Sequence, residues 1–298
     1  MTVTLSTLFQ QIINGLSLGS VYALIAVGYS LVYSILLFSN FAHGGFLVVG
    51  GYACYYLLTQ AGYGVVLASA GAILASGVVA VLTERLAYKP IRERTSMTLY
   101  LLIASMGVSI VIENIFVIVV GGRFRALPQD TFPSGVFSLG GGVTVNASDI
   151  LSLVVAVVFL GALQFFLLRT RWGLAIRAAA CDLRTAGLMG VNVTLLIGIV
   201  FFVAGLLAAV GGIFLSAKYS LYPQLGNITI KAFIAAVIGG LGSLPGAVLG
   251  SLILGLAEML TAGFVSSQMR DMVVFSMLVV MLLVRPAGFF GKSVGDKI

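Results

Sequence analysis

Residues 193–217 read VTLLIGIVFFVAGLLAAVGGIFLSA, a run without a single charged side chain. A bilayer core takes about 20 residues of apolar helix, so this run is long enough to cross one. Comparable stretches recur on both sides of it, at 8–37, 41–59, 63–83, 97–120, 150–168, 228–241, 246–263 and 272–285. The first is long enough to span with tilt. The stretch 228–241 is short for a crossing and reads either as a re-entrant half-helix or as a short span. Across 298 residues, 60% are hydrophobic and only 8% charged, and mean hydropathy is +1.16. A soluble domain averages about 25% charged residues. A soluble enzyme, a nucleic-acid-binding protein and a disordered chain are therefore all excluded. A membrane barrel is excluded too, because its strands would alternate apolar and polar residues, whereas these runs are continuous. The fold class is all-α, a polytopic membrane helical bundle of about eight to nine transmembrane helices. The 37 glycines lie largely inside the apolar runs. Small residues let membrane helices approach closely, so the bundle is expected to be tight, with some helices broken or re-entrant.

Orientation follows from lysine and arginine. The loop 84–96 carries Arg85, Lys89, Arg92 and Arg94. The loop 169–192 carries Arg169, Arg171, Arg177 and Arg184, and the tail carries Arg285, Lys292 and Lys297. These segments are expected on the cytoplasmic side. Three crossings precede the first, which puts the N-terminus and the segment 121–149 outside. That outer segment is rich in Gly and Pro, with a hairpin expected around Phe137 to Val145. The net charge of +7 then reflects topology, not an anionic ligand. No Lys or Arg precedes Arg85, which speaks against a signal or transit peptide. Cys54 and Cys181 fall in unlike environments and are not expected to pair. No domain boundary is visible, so residues 1–298 read as one transmembrane domain. A weak glycine echo links Gly44, Gly45, Gly50 and Gly51 with Gly239, Gly240, Gly246 and Gly250, short of demonstrating an inverted repeat.

Several constellations carry candidate chemistry. Asn40-Phe41-Ala42-His43-Gly44-Gly45 lies between two apolar runs and holds the only histidine. It reads either as a helix break beside a solute pathway, where unwound backbone is tolerated, or as a polar loop at the cytoplasmic surface. One histidine without a Cys, His or Asp cluster is too few ligands for a metal. In Gly239-Gly240-Leu241-Gly242-Ser243-Leu244-Pro245, proline and glycine predict a break, with Gly240, Gly242 and Ser243 as further pathway candidates. Gly246 and Gly250, like Gly15 and Gly19, read as packing stripes. Glu113 and Glu258 are intramembrane carboxylates, functional by default. Both fall toward the outer ends of their helices, so each is read as interfacial unless it faces inward to meet a ligand ammonium or a proton. The stretch 171–192, RWGLAIRAAACDLRTAGLMGVN, predicts a short amphipathic helix, either docking a protein partner or lying on lipid. Gly291-Lys292-Ser293 resembles the end of a phosphate loop, but Pro286 stands where its first glycine belongs and no strand precedes it. Hydrolase motifs are absent as well.

Residues 11–52, QIINGLSLGSVYALIAVGYSLVYSILLFSNFAHGGFLVVGGY, resemble the start of the permease subunits of branched-chain amino acid ABC importers, with NFAHG the most specific element. RAAACDLRTAGLMGVN resembles that family's cytoplasmic coupling segment. AFIAAVIGGLGSLPGAVLGSLILGLAE and RPAGFFG resemble its C-terminal part. The likeness covers nearly the whole chain, in order, and is greater to the H-type than to the M-type permease. It implies a bacterial inner-membrane subunit forming half of a translocation pathway. The other half would be a second permease, M-type or another copy. Two cytoplasmic ATPase subunits, carrying the ATP and Mg, would dock on the coupling segment, and a periplasmic binding protein would deliver the solute. No cofactor and no nucleic acid are expected on this chain. The resemblance places Asp182, Leu183, Arg184, Thr185, Ala186, Leu188, Met189 and Gly190 at the ATPase contact, and Asn40, Phe41, His43 and Gly44 near the pathway. Cys181 and Gly187 depart from the polar or helix-favouring residues expected there, which leaves the coupling helix's length open. A second reading is an ion-gradient-driven secondary transporter. Its only relay candidates, Glu113, Glu258 and His43, are scattered along the chain. An intramembrane enzyme lacks a nucleophile–base pair.

Overall fold

The computed structural model describes residues 5–95, 97–128, 131–140 and 143–291. In chain order the first helices are α1 (Leu5–Leu36), α2 (His43–Thr59), α3 (Val65–Thr83), α4 (Lys89–Arg94) and α5 (Thr98–Val120). A two-stranded hairpin follows, β1 (Val136–Gly140) and β2 (Val143–Asn146), then α6 (Ala147–Arg169), α7 (Arg171–Cys181) and α8 (Leu183–Leu188). The chain continues through α9 (Val193–Tyr219), α10 (Thr229–Gly239), α11 (Leu244–Phe264) and α12 (Arg270–Val284). Among the described residues, seven helices are long and apolar enough to cross a membrane. α2, with 17 residues, is about 26 Å long and close to spanning length. α10 has 11 residues and reaches about 16 Å, roughly half of a bilayer core. Of the two readings of 228–241, the half-helix is therefore the one adopted.

The chain divides into two compact units, Gly28–Pro128 with Phe159–Ile230, and Met1–Val27 with Gln129–Val158 and Lys231–Ile298. In the first, α2, α3 and α9 pack on one another. Their contacts are made at glycine. A Cβ on Gly50 would lie 2.6 Å from Ala209 Cα, and one on Gly212 would lie 2.3 Å from Leu47 O. Buried Ser76 reaches across the same seam, its hydroxyl 2.8 Å from Phe46 O and 2.9 Å from Gly205 O. Arg125, in the loop after α5, is held by paired backbone bonds to Leu221 (2.8 and 2.7 Å) and sits over the Tyr55 and Tyr56 rings.

The basic segment 84–96, read as a loop, is mostly helical. α3 runs through a π-turn at Glu84–Tyr88 into α4, giving one helix from Val65 to Arg94. Pro90 lacks the N–H that would continue the α-helical ladder, and the wider π-turn absorbs the mismatch. The change of boundary matters, because it brings Glu84 inside the helix.

In the second unit, α1 and α11 meet at Gly15, Gly19 and Gly255, where a Cβ on Gly255 would lie 2.6 Å from Gly15 O. α10 and α11 form a tight hairpin: a Cβ on Gly250 would fall 2.1 Å from Ala235 O, and one on Gly246 2.3 Å from Gly239 O. The stripes read as packing elements do pack. The break between these helices is real, with Gly240 and Gly242 at φ 107° and 83°, a region that L-residues avoid. The Arg285–Gly291 turn covers the end of α10, where Phe289 N and Phe290 N donate to Ile238 O and Gly239 O at 2.9 and 2.8 Å. These bonds satisfy carbonyls that a helix C-terminus leaves open. The hairpin expected around Phe137 to Val145 is present, β1 pairing antiparallel to β2 with Phe137 opposite Val145.

Candidate functional site

The NFAHG junction between α1 and α2 is buried, not a surface loop. The chain leaves α1 through Leu37, whose φ of 53° is unusual for leucine. Asn40 then turns inward, and its Oδ1 accepts a 2.8 Å bond from the Tyr88 hydroxyl. Phe41 N donates to Ser105 Oγ at 3.1 Å, binding the junction to α5. His43 opens α2 fully buried, its ring edge-on to Tyr29 and Phe46.

Gly44 and Gly45 are the next residues, and both sit against neighbouring elements. A Cβ on Gly44 would fall 2.4 Å from Gly226 O, and one on Gly226 would fall 2.8 Å from Gly44 O. The two backbones touch, and neither glycine can be replaced without movement. Gly45 instead meets a side chain, with Ile112 Cδ1 of α5 2.8 Å from where its Cβ would lie. Beside this crossing lies a shallow recess, partly open to solvent. Its polar lining is Ser109, Glu113 and Asn227, and its apolar lining includes Val48, Ile112 and Pro223. Of the expected pathway residues, Gly44 borders the recess, while Asn40 and His43 lie in the packed junction that carries it. Gly240, Gly242 and Ser243 belong to the other unit. There Gly240 is pressed by Gly288 and Gly291, and Ser243 Oγ caps α11 by accepting from Gly246 N at 3.2 Å.

The carboxylates differ in their surroundings. Glu258 was read as interfacial unless inward-facing, and it faces inward. It is 1% exposed, accepting from Lys231 Nζ at 2.8 Å and from the Tyr22 hydroxyl at 3.1 Å. Lys231 also pairs with Asp271 at 2.8 Å. Sequence reasoning passed over Lys231, although a lone cation inside an apolar stretch is itself a signal that a partner exists. It also passed over Glu84, fully buried and paired with Arg92 at 3.0 Å. Eight residues separate these two, about two helical turns, so both fall on one helix face. Glu113 is half-buried and borders the recess. Among the described residues no group of three His, Cys, Asp or Glu could hold a metal ion.

The segment 171–192 forms two helices where one was expected. α7 ends at Cys181 and α8 begins at Leu183. Asp182 separates them in extended conformation, and its carboxylate accepts from Arg184 N and Thr185 N at 2.9 and 3.2 Å. It also accepts from the Thr185 hydroxyl. That hydroxyl, followed by the backbone donors, holds the carboxyl below the usual aspartate range. Asp182 is thus the N-cap of α8. Ala186 is buried beneath α8, while Leu188 and Met189 stand 81% and 82% exposed. Gly190 closes the segment at φ 93°. Both cysteines are free, Cys54 buried and Cys181 exposed.

Long apolar helices in contact at glycine, with Glu84 and Glu258 drawn inward, define a polytopic helical membrane protein. Residues 11–282 match the family described as branched-chain amino acid transport system, permease component, and the chain belongs to that family. The high-affinity branched-chain amino acid transport system permease protein LivH of Escherichia coli (strain K12) is 38% identical over 307 residues, covering 97% of each chain. BraD of Pseudomonas aeruginosa, of the same description, is 38% identical over 303 residues with the same coverage. A probable branched-chain amino acid transport permease protein, LivH of Methanocaldococcus jannaschii, is 27% identical, covering 90% of this chain and 88% of its own.

Proposed function

We propose that this chain forms half of the translocation pathway of an ATP-binding-cassette importer for branched-chain or related amino acids in a bacterial inner membrane. The observation that carries the reading is similarity along 97% of the chain to permease proteins of branched-chain amino acid transport. A periplasmic binding protein delivers the solute to the outer face. A second permease, M-type or another copy, completes the pathway, and its walls include the Asn40–Gly44 junction and the Gly240–Ser243 turn. Two cytoplasmic ATPase subunits, with ATP and Mg bound to them, dock on α7 and α8. The exposed Leu188 and Met189 support this docking, because apolar tips beyond the arginine-bearing part of a segment suit a protein groove better than water. Asp182 keeps α8 formed, so that movement of a docked ATPase is passed to α9 through a short, capped helix.

The test is gentle purification of the tagged chain from its native membrane, followed by mass spectrometry. Two ATPases and a second permease are expected. A chain that arrives alone and moves solute under an ion gradient would replace this reading with a secondary transporter.

Two further outcomes are expected. Met189→Asp places a charge in the docking surface, and an unpaired buried charge costs several kcal/mol. ATP-driven uptake should fall at least about tenfold while ATP hydrolysis continues, and uptake at the wild-type rate would remove Met189 from the contact. For topology, Ser134→Cys is made in a Cys54→Ala/Cys181→Ala background. Ser134 is exposed, and the orientation proposed here puts it outside. An impermeant thiol reagent should label it in intact cells, whereas labelling only after permeabilisation reverses the orientation.

A further inference from the structure

Four carboxylates sit on helices α3–α4, α5 and α11: Glu93 is exposed beside Lys89 near the Arg94 end, and the other three are not equivalent. Glu84 has Arg92 at 3.0 Å and Glu258 has Lys231 at 2.8 Å. Glu113 has no cation within ion-pair distance among the described residues. It is seven residues from the Val120 end of α5, or about 10 Å into the helix. A carboxylate at that depth is costly unless it meets a cation or water.

Glu113 also has a defined setting. Ser109 lies one turn earlier on the same face, and both border the recess beside the Gly44–Gly226 crossing. The crossing holds the recess open on one side, because two backbones in contact cannot collapse further. Asn227 adds an amide, while Val48, Ile112 and Pro223 add apolar wall. One negative charge, two neutral hydrogen-bonding groups and an aliphatic surface around a shallow, partly open recess suit an ammonium group seated beside an apolar wall.

We propose that this recess is a binding station for the α-ammonium group of the permeating amino acid, with Glu113 as the residue that pairs with it. The inference rests on the amino acid importer reading above and deepens it. A solute entering the recess would meet Glu113, and a 2-oxo or 2-hydroxy acid of the same shape, lacking the ammonium, makes no such pair. The permease then adds its own selection for the amino group to any made by a binding protein.

The complete complex, reconstituted in liposomes with saturating binding protein and ATP, tests this with leucine as the probe. A charge-assisted hydrogen bond is worth about 10- to 100-fold in a binding constant. Glu113→Gln should lower kcat/KM for leucine uptake by about that factor, and Glu113→Asp should retain most of it. Glu93→Gln, an exposed carboxylate on α4, should leave uptake unchanged. Uptake by Glu113→Gln equal to wild type would overturn the station and leave the importer reading standing. A wild-type complex that moves no amino acid would overturn both.

A second measurement does not depend on the Glu113 variants folding. Ser109→Cys, in the background lacking Cys54 and Cys181, places a thiol in the recess with Glu113 intact. A cationic methanethiosulfonate should modify it faster than an anionic one. Leucine should slow that reaction at least about threefold, and 4-methyl-2-oxopentanoate should not. Equal rates with and without leucine would overturn the proposal.

Discussion

Gly44→Val is expected to deplete the folded chain almost completely. Its Cβ would lie 2.4 Å from Gly226 O and 2.9 Å from the same carbonyl carbon. Neither is the end of a flexible side chain that can swing aside. Gly44→Ala isolates the effect, because two terms oppose each other. Alanine improves helix propensity by about 1 kcal/mol over glycine. Forced overpacking costs about 1–3 kcal/mol and more where backbone must move, so the clash wins. Thermal unfolding of the purified chain in detergent should show a net loss of about 2 kcal/mol for alanine and no recoverable protein for valine. Gly107 in α5 is the comparison, since a Cβ there meets nothing within 4 Å. Gly107→Ala should be neutral or stabilising by up to about 1 kcal/mol. If Gly44→Ala behaves like Gly107→Ala, the close crossing beside the recess does not exist.

Lys231→Met should be the most damaging change to a charged residue. It leaves Glu258 buried with only the Tyr22 hydroxyl as a neutral donor at 3.1 Å. Breaking a buried pair by removing one partner costs about 3–5 kcal/mol. The reverse change, Glu258→Gln, should cost less, because Lys231 is 20% exposed and keeps Asp271 at 2.8 Å. Exposure of Asp271 limits what that second pair contributes. Adding Glu258→Leu to Lys231→Met should recover most of the loss, since an apolar pair of similar volume is often neutral or better. Unfolding midpoints for the two single variants and the double variant decide this. Equal losses for Lys231→Met and Glu258→Gln would mean that the pair is not buried as a unit.

The two residues in these predictions were not equally visible beforehand. Gly44 stood out in the chain itself, as part of a polar and glycine-rich interruption between apolar runs. Lys231 did not, since nothing local joins it to a carboxylate 27 positions later. The coupling segment shows the same limit at short range. Its helical spacing was legible, but Asp182 reads equally well as a surface charge or as a cap. Only the extended backbone at that residue, with two amides facing its carboxylate, makes it the cap and splits the helix in two. The segment 84–96 misled in the opposite direction. Its basic residues read as a loop, whereas a π-turn carries the helix through to Arg94.

What the sequence by itself determined is what depends on neighbours along the chain. Run length established membrane crossing, the shortness of 228–241 left a half-helix as one of two readings, and Gly-Pro clustering located the α10–α11 break and the hairpin around Phe137 to Val145. Each is decided within one or two turns of backbone, so composition and spacing are enough. Tertiary structure alone decided that Lys231 pairs with Glu258, that Glu113 has no cation partner among the described residues, and that a recess lies beside it. Those outcomes depend on how closely helices approach at Gly44, Gly50, Gly212 and Gly226. That approach brings together residues distant in the chain, and no local spacing encodes which of them will meet.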